Sequence, residues 1–478
     1  MISWFKKYWP LLLLILGNLI LKGIFLGNNA LGGDEPFSVY HAQCSIPAIV
    51  KFLSETNNPP LYEIFLHYWI RFFGISEIAV RIPSLVFNTI TLIFIYLTGV
   101  KFFSKTVGMT AATLFVFSTY QVVFAHEARV YALFGMLTAV SMYFFIQMIL
   151  NGKTKSNFLL LIAFDGLLLY THYFGFFVPV IQAIVVLTSK SLRSEFLKPL
   201  FYAGFILFLC YLPNLVVLVT RFKASAGGTW VPAPNGFESL YNMLWKFSNE
   251  PVVTVIIILL FVIVLVKKIS FDRKTKVSIG ARIIMIWFFF PFLFMFLISY
   301  RIPVFLDRYL MFVSVGFYLL VALAIKYLVR NQVYLLVIPF ICCLLFAITV
   351  EPNISNKRKV RETVAKIKEI QNDSTLVIVC PHYFSYNLAY YYNREIFRKT
   401  SETDDYQQID SGLNRSNIYC IDNIKAVDLT NRKHVVYLDA AADFCSPGNE
   451  ILPTLVNQYQ TKSCTEFYEI FKVYEFGR

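Results

Sequence analysis

The chain has 478 residues, of which 57% are hydrophobic, 17% are aromatic and only 15% are charged. Soluble domains contain about 45–50% apolar and about 25% charged residues. The composition therefore excludes a disordered chain and a coiled coil, and its long apolar runs argue against a soluble multidomain enzyme. We expect a polytopic, all-α membrane protein.

The net charge of +14 is concentrated in the first 350 residues. Residues 351–478 contain 16 basic and 17 acidic side chains, so the excess of Lys and Arg belongs to the apolar part of the chain. Basic residues in short loops mark the cytoplasmic side of a membrane protein. The charge therefore indicates topology rather than binding to nucleic acid.

Apolar runs bounded by polar residues, Gly or Pro predict about eleven transmembrane helices. The runs are 9–27, 81–100, 107–125, 130–150, 158–171, 173–188, 199–219, 252–266, 280–300, 308–326 and 332–350. Assigning the Lys-rich loops to the cytoplasm places the N-terminus there. Because eleven is odd, the C-terminal tail is expected outside, and we expect the plasma (inner) membrane as the location.

Most acidic residues of the first 350 are predicted to lie on the outer face. They are Asp34, Glu35, Glu55, Glu63, Glu77, Glu127, Glu238, Glu250 and Asp307. The positive-inside rule is largely indifferent to acids and gives no reason for them to collect there. This distribution favours chemistry on the outer face.

Segment 28–80 is predicted to form interfacial helices on that face. Glu35–Leu53 and Leu61–Phe73 show mixed apolar and polar periodicity, which is typical of helices that lie in the membrane interface. The sequence Asn57-Asn58-Pro59-Pro60 ends the first helix, because Pro disfavours helical geometry at the residue before it. We assign 1–350 to a membrane domain that includes these helices.

Residues 351–478 have the composition of a small soluble α/β domain. We predict helices at Val360–Ile370 and Tyr386–Tyr392 and strands at Thr375–Cys380 and His434–Leu438. No Gly-rich phosphate loop follows the strands, which argues against nucleotide binding. We expect this extracytoplasmic domain either to help select an acceptor or to stabilise the membrane part. Its four cysteines could pair in three ways.

Several motifs occur in an order that resembles one family. They are Gly33-Asp34-Glu35, Asn58-Pro59-Pro60-Leu61-Tyr62, Glu77-Ile78-Ala79-Val80-Arg81-Ile82-Pro83-Ser84, Glu127-Ala128-Arg129-Val130-Tyr131, Tyr170-Thr171-His172-Tyr173-Phe174-Gly175 and Asp307-Arg308-Tyr309-Leu310. Over residues 1–330 the set resembles the GT-C membrane glycosyltransferases of family 39, which include protein O-mannosyltransferases and the lipid A aminoarabinose transferase.

The resemblance implies a GT-C fold and a sugar donor carried on a polyprenyl phosphate. It also implies an acceptor hydroxyl presented from outside and inversion at the anomeric carbon. The acceptor could be a glycan, a lipid or a protein. Such chemistry needs a carboxylate to accept the acceptor's proton and a cationic clamp for the phosphate leaving group.

Asp34 is the candidate general base, because it follows Gly32-Gly33 at the outer end of the first span. Glu127 is a second catalytic candidate that could orient the acceptor or Asp34. Each has a structural alternative: Asp34 could be a solvated turn residue, and Glu127 could form an ion pair with Arg129.

Arg308 is the main candidate for the donor phosphate, because a guanidinium binds phosphate oxygens in a bidentate manner. Tyr309, Arg129 and Asn58 are further candidates for this role. Arg308 could instead anchor the helix at the interface or pair with Asp307. The aminoarabinose-transferase branch has Glu-Lys before its Pro-Pro pair, whereas this chain has Asn57-Asn58, so one phosphate-binding lysine is missing here.

Glu35, His172, Tyr173 and Tyr62 are candidate substrate-binding residues. Glu35 could instead cap the following helix, and His172 could be a packed interfacial residue. Asp165 lies within a predicted span, where we interpret it as a buried hydrogen-bond partner between helices.

The sequence contains no H-E-x-x-H motif and no paired C-x-x-C motif, and we predict metal-independent catalysis without a cofactor. Two other functions stay open. A lipid or solute transporter would favour internal repeats and helices broken at the membrane centre. A lipid-linked glycan polymerase or ligase would also use an outer-face site.

Overall fold

The computed structural model describes residues 2–55, 58–226, 228, 231–272, 275–329, 331, 333–353, 359–402, 406–468 and 471–478. The chain forms two compact units. The membrane unit comprises Met1–Leu26, Leu53–Tyr62 and Arg81–Ile354. The second unit comprises Gly27–Phe52, Glu63–Val80 and Ser355–Arg478, and we call it the mixed unit.

Helices make up nearly all of the regular structure before residue 350. They are α1 Ile2–Gly23, α2 Glu35–His41, α3 Ile46–Leu53, α4 Leu61–Phe73, α5 Glu77–Phe102, α6 Lys105–Val116, α7 Thr119–Ala125, α8 Tyr131–Asn151, α9 Lys155–Leu169, α10 Phe177–Leu187, α11 Lys190–Ala226, α12 Gly236–Ser248, α13 Pro251–Ser270, α14 Ile279–Ile298, α15 Met311–Leu328 and α16 Tyr334–Thr349. Short 3-10 helices, Tyr173–Phe176 and Asp307–Leu310, precede α10 and α15.

Six helices of the described residues are long and apolar enough to cross a membrane. They are α5, α8, α11, α13, α14 and α15. Helices α6 and α7 form a pair bent by 62°, which would make a seventh crossing. Each of the eleven predicted runs lies largely on a helix or on this pair. The helical membrane class is therefore confirmed. The number of crossings stays a prediction.

A close approach of two backbones joins α5 to α6. A Cβ atom on Gly99 would lie 2.3 Å from the Cα of Gly108, and a Cβ on Gly108 would lie 2.7 Å from the backbone nitrogen of Val100. Only glycine fits at these two positions. Small residues let apolar helices pack closely where the hydrophobic effect contributes little.

Asp165 links three helices of the membrane unit. Its Oδ1 accepts hydrogen bonds from Ser141 Oγ on α8 at 2.5 Å and from Gln182 Nε2 on α10 at 3.1 Å. Gln182 Nε2 also donates to Ser141 Oγ at 3.0 Å. Asp165 itself is on α9 and is 1% exposed. Its position fits the predicted structural role between helices.

The mixed unit is built on a five-stranded sheet of order β2-β1-β3-β5-β4. The strands are β1 Leu376–Cys380, β2 Ile418–Cys420, β3 His434–Ala440, β4 Gln460–Tyr468 and β5 Phe471–Gly477. Strands β2, β1 and β3 are parallel, and β5 runs antiparallel to both β3 and β4. Every residue of β1 is buried, as expected of a central strand covered on both faces.

Helices of the C-terminal region flank this sheet. They are α17 Val360–Ile370, α18 Ser385–Tyr392, α19 Arg394–Arg398, α20 Gln407–Asn414, α21 Ala442–Cys445 and α22 Ile451–Gln458. The predicted helices and strands of residues 351–478 coincide with α17, β1, α18 and β3. The eight cysteines are free thiols in the structure.

Both segments of 28–80 that we predicted as helices are helical, and Glu35–Leu53 is divided into α2 and α3. We assigned 28–80 to the membrane domain, whereas most of α2 to α4 groups with the C-terminal residues. Specific bonds connect these segments to the C-terminal region, among them one from Tyr40 Oη on α2 to the Lys399 carbonyl at 3.3 Å. Glu77 Oε1 accepts from Arg361 Nη2 and from Tyr391 Oη, each at 2.7 Å, and Tyr390 Oη donates to the Ile75 carbonyl at 2.7 Å.

Replacing Asp165 tests whether the α8–α9–α10 link is structural. Asp165→Asn keeps an acceptor oxygen and should change stability little. Asp165→Ala leaves buried polar groups of Ser141 and Gln182 unpaired, and we expect a loss of about 1–3 kcal/mol in the free energy of unfolding. Denaturant titration in detergent measures both variants. Equal effects of Asn and Ala would contradict the proposed role of the acceptor oxygen.

Candidate active site

Asp34 lies in a tight turn that leads into α2. Gly33 has φ of 56°, a left-handed conformation that favours glycine. The carboxyl group of Asp34 makes no cap hydrogen bond to the helix, and the residue is exposed. The turn therefore presents a carboxylate at the surface of the mixed unit.

Glu35 is a buried residue whose side chain binds the turn before α2. The side chain is 1% exposed, and its Oε2 accepts a hydrogen bond from the Gly32 amide at 3.1 Å. The Glu35 amide in turn donates to the Gly32 carbonyl at 3.2 Å. These two bonds close the turn that contains Gly33 and Asp34. A role for Glu35 in substrate binding stays a prediction.

Residues of the C-terminal region hold the backbone before Asp34. The Leu31 amide donates to Tyr391 Oη at 2.5 Å, and Asn387 Nδ2 donates to the Gly33 carbonyl at 3.2 Å. Both partners lie on α18. Because Tyr391 Oη donates to Glu77, one hydroxyl joins the turn to the start of α5. The anchoring role of Tyr391 could not be predicted, because no local sequence pattern distinguishes a Tyr that makes such a distant contact.

Glu63 is a further buried carboxylate near this turn. It is 1% exposed, and its Oε1 accepts from Ser38 Oγ on α2 at 2.7 Å. His67, one turn later on α4, contacts the Ala42 carbonyl through Nδ1 at 2.9 Å. Helix α4 thus binds the middle and the C-terminal end of α2. The sequence signal was present, because an acid in a mostly apolar helix needs a partner.

The other candidates of the membrane unit lie around residues 127–131. The Glu127 carbonyl accepts from Ser84 Oγ at 2.6 Å and from the Arg129 amide at 2.8 Å. Arg129 is 6% exposed and lies near enough to His172 for a direct electrostatic interaction. These backbone bonds fix the turn between α7 and α8 on which both side chains stand.

Asp307 is bound by Lys246, by the Arg308 amide and by Tyr120. Its Oδ2 forms an ion pair with Lys246 Nζ at 2.6 Å, and its Oδ1 accepts from the Arg308 amide at 2.7 Å. Tyr120 Oη donates to the Asp307 carbonyl at 2.6 Å. The Arg308 guanidinium lies over the Tyr131 ring, with its Cζ 5.8 Å from the ring centroid. Lys246 is thus the ion-pair partner of Asp307, and the positive charge of Arg308 also acts on this carboxylate.

His172 is packed among aromatic rings. It is 1% exposed and stacks on Phe134 with 5.0 Å between ring centroids. Its Nδ1 accepts from the Phe174 amide at 3.1 Å. Burial, together with repulsion from Arg129, lowers the pKa of His172 to about 3. The imidazole is therefore neutral near pH 7, with its proton on Nε2.

Tyr309 completes the group, with its ring centroid 5.5 Å from that of His172. Tyr131 contacts both His172, with 6.2 Å between ring centroids, and the Arg308 guanidinium, so it links these two residues. The structure thus brings five residues together, and we call them the arginine cluster. They are Arg129, Tyr131, His172, Arg308 and Tyr309.

The remaining candidates lie on a neighbouring segment of the membrane unit. Asn58 and Tyr62 are 8% and 0% exposed, and the Leu61 amide between them donates to the Tyr170 carbonyl at 3.1 Å. The Tyr173 hydroxyl is buried and makes no hydrogen bond to a described residue. Asn57, the other residue of the Asn-Asn pair, lies outside the described residues.

Arg221 is a basic residue of this region that sequence analysis did not select. Its Nη1 donates to the Glu55 carbonyl at 2.5 Å, and its charge acts on Tyr173. Arg221 lies near the end of α11. A signal existed, because basic residues on the predicted outer side are exceptions to the positive-inside rule.

The two units offer different chemical groups. The arginine cluster offers two guanidinium groups, two phenol rings and a neutral imidazole N–H, a set suited to an anionic oxygen. The mixed unit offers the exposed carboxylate of Asp34. Across the residues that the structure describes, no three His, Cys, Asp or Glu side chains form a group that could hold a metal ion.

Comparison with known proteins gives a match to one family over part of the chain. Residues 57–217 match the model of the dolichyl-phosphate-mannose-protein mannosyltransferase family. A comparison with curated protein sequences found no match. The family match confirms the resemblance to GT-C glycosyltransferases that the motifs indicated.

Solved structures of similar shape establish the fold along the whole chain. The crystal structure of ArnT from Cupriavidus metallidurans bound to undecaprenyl phosphate matches with a TM-score of 0.63 at 10% identity, covering 97% of both chains. The archaeal oligosaccharyltransferase AglB from Archaeoglobus fulgidus, in complex with an inhibitory peptide and a dolichol-phosphate, matches with a TM-score of 0.53 at 13% identity. That match covers 96% of this chain and 73% of AglB. The chain has the GT-C fold.

Tyr391→Phe tests whether α18 holds the turn before Asp34. The variant leaves the buried Leu31 amide without its acceptor, which should lower the free energy of opening at this amide by about 1–3 kcal/mol. Hydrogen–deuterium exchange of the peptide around Leu31 measures the change. Tyr392→Phe is the matched control, because it loses only a bond to Gln371. Unchanged exchange in Tyr391→Phe would contradict the anchoring role.

The depressed pKa of His172 predicts a pH-dependent stability. Above the unfolded-state pKa of about 6.5 the full stability is present. As the pH falls from there toward 3, the unfolded chain binds a proton that the native state excludes, so stability decreases. His172→Asn keeps an acceptor for the Phe174 amide and removes the titration. In thermal unfolding, His172→Asn should lose less stability across this pH window than wild type does. Identical pH dependences of the two proteins would refute the assigned pKa shift of His172.

Proposed function

We propose that this protein is a membrane glycosyltransferase that moves a sugar from a polyprenyl-phosphate donor to an acceptor hydroxyl on the outer face of the plasma membrane. The observation that carries the proposal is the arginine cluster, which lies in a helical membrane unit of GT-C fold. ArnT has the same fold over nearly its full length and was solved bound to undecaprenyl phosphate. The matching family is named for a mannosyltransferase that uses dolichyl-phosphate-mannose, which supports a lipid-phosphate sugar donor.

The donor phosphate would bind at the arginine cluster. Arg308 and Arg129 supply positive charge, and Tyr309 and the His172 Nε2–H supply neutral donors. Guanidinium groups in a partly dehydrated site bind phosphate oxygens through short, charge-assisted hydrogen bonds. Two guanidinium groups can neutralise the charge that develops on a monophosphate leaving group, so the proposed mechanism needs no metal ion or cofactor.

Asp34 would act as general base on the acceptor. The acceptor oxygen forms a bond to the anomeric carbon from the side opposite the phosphate, and the bond from that carbon to the phosphate oxygen breaks. The configuration is therefore inverted. A carboxylate is a much weaker base than an alkoxide, so the hydroxyl proton passes to Asp34 late, as the new glycosidic bond forms. Polyprenyl phosphate leaves with the electron pair of the broken bond.

The other candidate residues would assist these two roles. Glu127 stands on the turn that carries Arg129 and could orient the acceptor. Asn58, Tyr62, Tyr173 and Glu35 would line the path of donor or acceptor. We further propose that the N-terminus is cytoplasmic and that the C-terminal domain is extracytoplasmic, as the distribution of basic residues predicts.

Variants of Asp34 and Arg308 test the two roles separately. Asp34→Asn should retain donor binding and lower the rate of polyprenyl-phosphate release by about 10²–10⁴-fold, the range for a lost general base. Arg308→Gln should weaken donor binding as well as turnover. Arg308→Lys should retain only part of the donor binding, because Lys lacks the planar guanidinium group. Release is measured with purified protein, a panel of polyprenyl-phosphate sugars and a cell-envelope extract as acceptor.

Matched controls are available on α11. Glu195→Gln and Arg193→Gln remove the same charges from exposed positions far along the sequence from the proposed site. They should leave donor binding and turnover unchanged. Full activity in Asp34→Asn would remove this residue from the chemistry. Absence of donor turnover in wild type, with transport of a lipid or solute by reconstituted protein, would refute the transferase and favour the transporter.

A further inference from the structure

A cavity of about 420 Å³ lies in the mixed unit, apart from every residue assigned to the reaction. Its lining residues are Pro381, His382, Tyr383, Tyr406, Asp422, Cys445, Ser446 and Pro447. The volume falls in the range of about 300–1,000 Å³ that is typical of small-molecule sites. Sequence analysis did not select any of these residues.

The position of the cavity follows from the topology of the sheet. Pro381 and His382 directly follow β1, Asp422 follows β2, and Cys445 and Ser446 lie at the end of the short helix after β3. Strand β1 lies between β2 and β3. The connection after β1 leads to β2 on one side of it, and the next connection crosses to β3 on its other side. Parallel sheets bind ligands in the crevice outside the carboxyl ends of their strands, at such a switch point.

Hydrogen bonds fix the polar groups of the cavity. Asp422 Oδ1 accepts from the His382 amide at 3.0 Å and from Ser446 Oγ at 2.6 Å. Its second oxygen, Oδ2, makes no hydrogen bond to any described residue and can accept one from a ligand. His382 Nε2 pairs with Asp410 Oδ2 at 2.9 Å, which holds the imidazole in one orientation.

Aromatic rings provide the apolar part of the cavity. The Tyr406 ring lies against His382, with 4.3 Å between centroids and 34° between planes. Tyr383 is 44% exposed, and its hydroxyl contacts Cys445 Sγ at 3.5 Å. An exposed tyrosine ring presents a flat apolar surface with a polar edge. Such a surface matches the C–H face of a pyranose ring.

The charge of the lining selects among possible ligands. It includes the Asp422 carboxylate, with the Asp410 carboxylate behind His382, and no Lys or Arg is among the lining residues of the described cavity. Phosphates, nucleotides and acidic sugars would meet like charge there without a compensating cation. Hydroxyl groups, in contrast, can donate to a carboxylate and accept from an imidazole.

We propose that this cavity binds a neutral sugar residue of the acceptor, so that the acceptor is a glycan or a glycolipid. The class of acceptor rests on the proposed transferase function, whereas sugar binding by the cavity does not. A sugar hydroxyl donates to Asp422 Oδ2, and the ring stacks on Tyr383. The C-terminal domain would thereby select the acceptor while α18 holds the turn that carries Asp34.

Alkylation of Cys445 reports occupancy directly, because this thiol lines the cavity. The full chain in lipid nanodiscs is treated with N-ethylmaleimide, with and without cellobiose, mannobiose, lactose or diacetylchitobiose, and labelling is followed by peptide mass spectrometry. We expect at least one of these probes to slow modification of Cys445, by about tenfold at ten times its Kd. The exposed Cys464 on β4 serves as an internal control and should react at an unchanged rate.

Variants connect the protection to the proposed contacts. Tyr383→Ala and Asp422→Asn should each raise the sugar concentration needed for protection by about tenfold or more. Tyr383→Phe keeps the ring and should retain most of the protection. Asp428→Asn removes an exposed acid of the same domain and is the matched control. Thermal unfolding of each variant shows whether the domain stays folded.

The possible outcomes separate this inference from the proposed function. The inference is overturned when no neutral probe protects Cys445, when protection survives both Tyr383→Ala and Asp422→Asn, or when only glucosamine, magnesium ions or inorganic phosphate protects. Protection without any polyprenyl-phosphate release would keep the sugar site and refute its role in acceptor binding. Where both activities are present, Asp422→Asn should raise the KM for the glycan acceptor and leave donor binding unchanged.

Discussion

A charge that is removed from water must be held by a partner, and this constraint shapes the membrane unit. Lys22 is fully buried, and its Nζ donates to Asn88 Oδ1 at 2.9 Å and to the Phe115 carbonyl at 3.3 Å. Asp165 is held by Ser141 and Gln182, and Asp307 is held by Lys246. Leaving the buried Lys22 or Asp165 without a partner would cost several kcal/mol. The Lys22 and Asp307 bonds also join segments that are distant in sequence.

The pairing of Asp307 has a consequence for function. Lys246 pairs with this carboxylate, and the neighbouring Arg308 guanidinium lies over Tyr131 within the arginine cluster. The neutral state of His172 follows from the same cluster, since burial and Arg129 both disfavour the imidazolium. In the mixed unit, Tyr391 and Asn387 use the C-terminal helix α18 to fix the turn of Asp34. Positioning of the candidate groups therefore depends on both units, each through its own hydrogen bonds.

The sequence predicted the fold class because hydropathy and periodicity are local signals. It gave α17, β1, α18 and β3 nearly to the residue, and ordered motifs indicated the GT-C resemblance. It could not group α2 with the C-terminal region, because that grouping depends on contacts such as Tyr40 with Lys399, 359 positions apart. It considered an ion pair of Arg308 with Asp307 and could not show that Lys246, 61 positions away, also pairs with this carboxylate. The cavity beside Asp422 was missed because its lining comes from four separate loops that only the sheet brings together.

The central claim is that the arginine cluster binds the phosphate of a polyprenyl carrier. Photo-crosslinking tests it most directly, with a polyprenyl phosphate that carries a diazirine next to the phosphate and with the protein in nanodiscs. The account predicts label on peptides that contain Tyr131, His172 or Tyr309, competed by unlabelled polyprenyl phosphate but not by phosphatidylglycerol, and reduced in Arg308→Gln. Label that lies elsewhere, or that phosphatidylglycerol displaces equally well, would contradict the account.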